Sequence, residues 1–125
     1  MKRASLILTA LVALEHLWFL VLEMFLWTTP LGQRTFGLTP ELARATASLA
    51  ANQGLYNGFL AAGLGWGLLR RDEGVSVRVF FLSCVVVAAV FGAVTAKPVI
   101  LLVQGGPALA AVVVTLLVSM NVARG

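Results

Sequence analysis

The sequence predicts an all-α integral membrane protein, a four-helix bundle with an additional short interfacial helix between spans 1 and 2. Of its 125 residues, 60% are hydrophobic and 11% are charged, whereas a soluble domain has about 25% charged residues. Its nine Lys and Arg residues cluster at the chain ends and connections, as topology signals do. We therefore predict a single transmembrane domain over residues 1–125, with spans at about 4–27, 48–69, 77–96 and 99–120.

The first predicted span and the connection after it carry clear boundary signals. Residues 4–27 suffice to cross about 30 Å of hydrocarbon, and Trp27 closes the span as an interfacial aromatic. Residues 28–32 are predicted to form a turn. Thr39-Pro40-Glu41 predicts a helix start, because Thr caps, Pro suits the first helical position and an acid favours the positive helix end. This interfacial helix either bends into the second span or continues it.

The later boundaries are marked by charge and proline. Arg70-Arg71-Asp72-Glu73-Gly74 ends the second span in a charged, tight connection, and Lys97-Pro98 makes a very short turn between the last two spans. Pro107 removes one backbone hydrogen bond and is predicted to kink or loosen the fourth span near Gln104.

The positive charges predict the orientation. Lys and Arg accumulate on cytoplasmic connections, and here the two chain ends and the second connection share one side of the membrane. Both termini are therefore predicted to be cytoplasmic, in a multi-pass protein of the bacterial inner (plasma) membrane. The cytoplasmic side would carry Lys2, Arg3, Arg70, Arg71, Arg78 and Arg124, and the other side Arg34, Arg44 and Lys97.

Composition also excludes several classes of protein. The net charge of +4 comes from residues that are dispersed along the chain. This distribution does not indicate a nucleic-acid partner. The single cysteine, Cys84, excludes an internal disulfide, and no CxxC or Cys/His spacing indicates a metal. We assign no metal ligands and no cofactor, although a metal held by Glu15, His16 and Glu23 stays open as an alternative whose spacing matches no strong motif. Membrane lipid is the expected partner.

Ionisable residues interrupt the first span on one side. Glu15, His16 and Glu23 fall within an arc of about 100° on a helix. His16 and Glu23 lie seven residues apart, so they occupy one stripe about 10 Å from each other. Ionisable groups inside a membrane usually mark function, although a purely structural interhelical hydrogen bond is the alternative.

The second span contains an unusual polar stretch, Ala51–Phe59. Its amides and tyrosine occupy an arc of about 140°, and the other side carries small residues that let helices approach closely. A homo-oligomer through Gly54, Gly58 and Ala62 is one expectation from that small-residue face. The polar arc contains Asn52, Gln53, Tyr56 and Asn57.

The polar residues of the spans share the outer half of the membrane in this topology. The first two spans place them there, and Gln104 lies about 8–9 Å deep in the fourth. We therefore predict one polar chamber, with Glu15, His16 and Tyr56 as candidate catalytic residues for acid–base chemistry. The candidate ligand-binding residues are Glu23, Asn52, Gln53, Asn57 and Gln104.

These residues also carry a family resemblance. Glu15-His16, Glu23-Met24-Phe25, the run Ala51–Leu64 and Gln104 before Pro107-Ala108 resemble the small bacterial four-span membrane proteins catalogued as domain of unknown function 1304. The resemblance covers nearly the whole chain, and its most specific part is the Asn-Gln-Gly-Leu-Tyr-Asn-Gly-Phe run. It implies a four-helix integral membrane fold and supplies no activity.

Three hypotheses for the function follow. The first is a membrane protein that binds or converts a small lipophilic molecule by acid–base chemistry. The second is a module that binds or transports a proton, a cation or a small solute through the same residues. The third is a structural subunit that docks through the small-residue face of the second span.

Overall fold

The computed structural model describes residues 1–70 and 74–123, and the regular elements in this part of the chain are all helical. The all-α prediction is thereby confirmed. Asp72, Glu73 and most of the charged connection predicted around them lie outside the described residues. The helices are α1 (Lys2–Met24), α2 (Pro30–Phe36), α3 (Pro40–Leu69), α4 (Gly74–Thr95), a π-helical segment (Leu101–Gly105) and α5 (Gly106–Ala123).

Within residues 1–70 and 74–123, three helical stretches are long and apolar enough to cross a membrane. They are Lys2–Met24, Gly74–Thr95 and Leu101–Val122, with mean hydropathies of 2.0, 2.4 and 2.2. The second predicted span lies within α3, which has 30 residues but does not meet this standard. Its amides, tyrosine and glycines lower its hydropathy, so length and composition identify three candidate spans and not four.

The connection after α1 corrects two expectations. Helix α1 ends at Met24, three residues before Trp27, and residues 30–36 form helix α2 instead of a simple turn. Pro30 stands at the start of α2 and the Thr29 hydroxyl accepts a hydrogen bond from the Gly32 amide at 3.3 Å. Gly37 ends the helix with φ 68, a left-handed conformation that costs glycine little.

The helix predicted from Thr39-Pro40-Glu41 continues into the second predicted span. Helix α3 begins at Pro40 and runs unbroken to Leu69. The Thr39 hydroxyl accepts a hydrogen bond from the Leu42 amide at 3.2 Å, as a cap does. The separate short helix between α1 and α3 is therefore α2.

The last helix is irregular directly before Pro107, as the proline predicts. Residues Leu101–Gly105 are π-helical, and the Gly106 amide donates to the Leu101 carbonyl, five residues back. A proline lacks the amide hydrogen that an α-helix would use, and π-helix, which is rare, occurs mostly as a single-turn bulge within an α-helix. This places Gln104 on irregular helix directly before α5.

The chain divides into two compact units. One contains Leu14–Ala61, and the other contains Met1–Ala13 with Ala62–Gly125; the prediction of a single domain stays a prediction. In the second of these units the Ser5 and Thr115 hydroxyls share a hydrogen bond of 2.6 Å, which links α1 to α5. Leu64, Leu82 and Val85 form part of its buried core.

Candidate functional site

Two glycines let α3 approach α1 closely within the unit Leu14–Ala61. A Cβ atom added to Gly54 would lie 2.7 Å from Met24 Cγ and 3.0 Å from Glu23 Cβ. A Cβ atom at Gly58 would lie 2.6 Å from Leu20 Cδ1. All three distances are shorter than ordinary van der Waals contact, so the helices can pack this closely only where a side chain is absent.

The close approach brings Glu23 and Asn57 into direct contact. The Asn57 side-chain amide donates to Glu23 Oε2 at 2.7 Å. Asn57 is only 6% exposed and Glu23 is half-buried. A short hydrogen bond to a carboxyl group is stronger than one between neutral groups in the same surroundings. The hydrogen bond therefore joins one candidate ligand-binding residue of α1 to one of α3.

The predicted division of α3 into a polar face and a packing face is wrong at this point. Gly54, Asn57 and Gly58 all face α1, as the glycine contacts and the Asn57 hydrogen bond show. The polar and small residues thus share one contact surface. A homo-oligomer through Gly54, Gly58 and Ala62 stays a prediction, and the first two positions already pack against α1 of their own chain.

The candidate acid–base residues lie nearer the start of α1, about two turns before Glu23. His16 is fully buried and its ring packs edge-on to Phe19, with centroids 5.5 Å apart. Glu15 is half-buried, and its Oε2 atom is buried without a hydrogen-bond partner among the described residues. A buried carboxyl oxygen is costly unless it is hydrogen-bonded, which makes Glu15 the strongest candidate for contact with a ligand.

The other three candidate residues of α3 have exposed side chains. Asn52 and Gln53 are exposed, and Tyr56 is 54% exposed with its ring edge-on to Phe59, at a centroid distance of 6.0 Å. The structure therefore brings Glu23 and Asn57 together, and it places these three side chains outside that contact. Their assignment to the chamber stays a prediction.

Gln104 is the candidate residue that lies outside the unit Leu14–Ala61. Gln104 is half-buried in the π-helical segment, within the other compact unit. No group of three or more His, Cys, Asp or Glu side chains that could hold a metal ion exists among residues 1–70 and 74–123. The candidate residues carry carboxyl, amide, phenol and imidazole groups.

Sequence reasoning did not single out Arg78 beyond its role in topology. Its side chain is 6% exposed, and Nη1 donates to the Gly67 carbonyl at 2.9 Å. The available signal was the position of an arginine within an otherwise apolar helix, close to glycines at 67 and 74. Small residues there leave room for a buried guanidinium.

Comparison with known proteins identifies related sequences. The family described as "Protein of unknown function (DUF1304)" matches residues 10–116. The chain is also similar to the uncharacterised protein YpaA of Lactococcus lactis subsp. lactis (strain IL1403). The two are 32% identical over 111 residues, which are 87% of this chain and 93% of that protein. No solved structure matches.

Proposed function

This chain belongs to the DUF1304 family, and we propose that it is an integral membrane protein that binds a small lipophilic molecule at Glu15. The observation that carries the proposal is the buried Glu15 Oε2 atom, which lacks a hydrogen-bond partner among the described residues. A ligand with one hydrogen-bonding group and an apolar body matches a carboxyl group in apolar surroundings.

The proposal includes a fourth membrane span formed by α3. Its 30 residues correspond to about 45 Å, more than the thickness of a bilayer core. The Asn57 amide, its most buried polar group, already has a partner in Glu23. A polar side chain paired in this way is compatible with the interior of a membrane.

With four spans, both termini lie on one side, which we assign to the cytoplasm. Lys2, Arg70 and Arg78 line one and the same cavity, and this grouping supports the assignment because cationic residues favour the cytoplasmic side. Arg34, Arg44 and Lys97 would then face the outside of a bacterial plasma membrane.

Acid–base chemistry is the reaction class that suits these residues. Glu15 and His16 would exchange a proton with the ligand, since carboxyl and imidazole groups are the usual proton carriers. The Glu23–Asn57 pair would provide an acceptor and a donor nearby in the same unit. Tyr56, Asn52 and Gln53 are proposed to orient the ligand, and the role of Gln104 stays a prediction from the sequence.

A co-purification experiment tests the binding. Wild-type protein and Glu15→Gln protein are purified from the same membranes in mild detergent, and the extracted small molecules are quantified by mass spectrometry. Glutamine has the size of glutamate but cannot accept a proton at pH 7. We expect at least one lipophilic molecule to be retained by the wild type and reduced about tenfold in the variant, a loss of about 1.4 kcal/mol.

Glu41→Gln is the matched control, because Glu41 is an exposed residue whose carboxylate pairs with Arg44 at 3.3 Å. It should retain the same molecules as the wild type. Identical molecules in identical amounts from all three proteins would contradict binding at Glu15. Retention of a metal ion or a small polar solute instead would favour the transport hypothesis.

A further inference from the structure

A second polar site lies in the unit that contains Met1–Ala13 and Ala62–Gly125. It is a cavity of about 690 Å³, within the size range of small-molecule sites. The start of α1, the ends of α3 and α5 and the start of α4 line it. Its polar lining consists of Lys2, Ser5, Arg70, Arg78 and Ser119, and the rest of its lining is leucine and valine.

The buried member of this lining is Arg78. One of its N–H groups caps the end of α3 through the Gly67 carbonyl, as a cation does at a helix C-terminus. Its Nε atom is buried and has no hydrogen-bond partner among the described residues. A neutral carbonyl does not compensate a buried positive charge, which needs an anion or a full set of acceptors.

The charged side chains in the described lining of the cavity are cationic. The described lining contains Lys2, Arg70 and Arg78 and no acidic side chain. Lys2 and Arg70 are exposed, and the Arg70 guanidinium lies 5.8 Å from the centre of the Trp66 ring. A role in topology alone requires positive charge on this side, but it does not require that a guanidinium be buried in a cavity.

We propose that this cavity binds the phosphate group of an acidic phospholipid. Arg78 would supply its guanidinium, whose planar set of donors suits phosphate oxygens, and Lys2 and Arg70 would add charge at the rim. The leucine and valine walls would contact the acyl chains, which favours a lipid over free phosphate. Basic cavities between helices on the cytoplasmic side are suited to anionic head groups.

Thermal unfolding in detergent micelles tests this assignment, because a ligand that binds only the folded protein raises its Tm. The probes are dioctanoyl phosphatidylglycerol, dioctanoyl phosphatidylcholine and inorganic phosphate. We expect phosphatidylglycerol to raise the Tm in a saturable manner, and the other two to have much smaller effects at equal concentration.

Charge-removing variants identify the cavity as the place of binding. Lys2→Gln and Arg70→Gln change exposed residues, so both proteins should fold. Each should weaken the apparent affinity for phosphatidylglycerol about fivefold, the effect expected from one cationic residue near an anionic head group. Arg34→Gln and Lys97→Gln remove the same charge elsewhere in the chain and should leave the affinity unchanged.

Three results would overturn the proposal. Equal stabilisation by phosphatidylglycerol and phosphatidylcholine would show that charge is not recognised. Equal stabilisation by inorganic phosphate would show a free anion as the ligand. Equal losses in the cavity variants and their controls would place the lipid elsewhere. None of these results depends on Glu15.

Discussion

Replacement of Asn57 by leucine is expected to destabilise the protein by about 2–3 kcal/mol, the scale of a lost hydrogen bond to a charged or buried group. The Asn57 amide donates to Glu23 Oε2 at 2.7 Å, and leucine leaves that oxygen without its donor. Leucine has the same number and branching of side-chain heavy atoms, which makes it a close apolar match in shape, and its larger methyl groups would add to the loss by overpacking. The free energy of unfolding, from dodecyl sulfate titration in mixed micelles, measures the loss.

Asn52→Leu is the matched control for this substitution. Asn52 lies on the same helix but is exposed, so its replacement should change stability by less than about 0.5 kcal/mol. Glu23→Gln keeps an acceptor for Asn57 and should cost less than Asn57→Leu does. If Asn57→Leu and Asn52→Leu destabilise the protein equally, the Glu23–Asn57 bond does not stabilise the helix pair.

Replacement of Gly54 by alanine is expected to destabilise the protein by about 1–3 kcal/mol, as overpacking does. The added methyl group would meet Met24 Cγ at 2.7 Å, Glu23 Cβ at 3.0 Å and the Leu20 carbonyl oxygen at 3.2 Å. Two of these atoms belong to the backbone or lie next to it and cannot rotate away. The same titration measures the loss.

Two further glycine variants calibrate this result. Gly58→Ala should cost less, because its methyl group would meet the terminal Leu20 Cδ1, which can rotate. Gly65 has no atom within 4 Å of an added Cβ, so Gly65→Ala should stabilise α3 by about 0.5–1 kcal/mol. Equal effects of the Gly54 and Gly65 substitutions would contradict the close contact between α1 and α3.

Long apolar runs predict the main helices, whereas the same local helix-start signal predicts α3 and not α2. Thr39-Pro40 predicted the start of α3 correctly. The same pair at Thr29-Pro30 starts α2, but the glycine at position 32 favoured a turn. That glycine is needed because a Cβ there would meet the Leu26 carbonyl oxygen at 2.1 Å. A packing requirement of this kind is not visible in a local pattern.

The candidate site shows a similar limit. Helical periodicity placed the polar residues of α3 in one arc, but it could not show which part of that arc meets α1. Gly54 and Gly58 lie about 60° and 100° from Asn57 around the helix, so the closest contact falls on Asn57. Asn52 and Tyr56 consequently remain exposed. The choice depends on tertiary packing, which the spacing of residues along one helix does not contain.

The sequence predicts that Arg78 contributes positive charge to one side of the membrane, but it does not predict that the side chain is buried. The positive-inside rule counts an arginine without regard to its depth. The close approach of the Gly74 and Gly67 backbones, where a Cβ at position 74 would lie 2.2 Å from the Gly67 oxygen, brings the start of α4 to the end of α3. Arg78 is buried by that approach.

Labelling with dicyclohexylcarbodiimide is the most direct test of the central claim, that a lipophilic molecule reaches the Glu15 carboxyl group. This apolar reagent reacts with protonated carboxyl groups, and mass spectrometry of peptides locates the adduct. We predict modification of Glu15 in membranes, while the exposed, ion-paired Glu41 stays unmodified. Glu15 that remains unmodified at reagent concentrations sufficient to label Glu41 would contradict the proposed site.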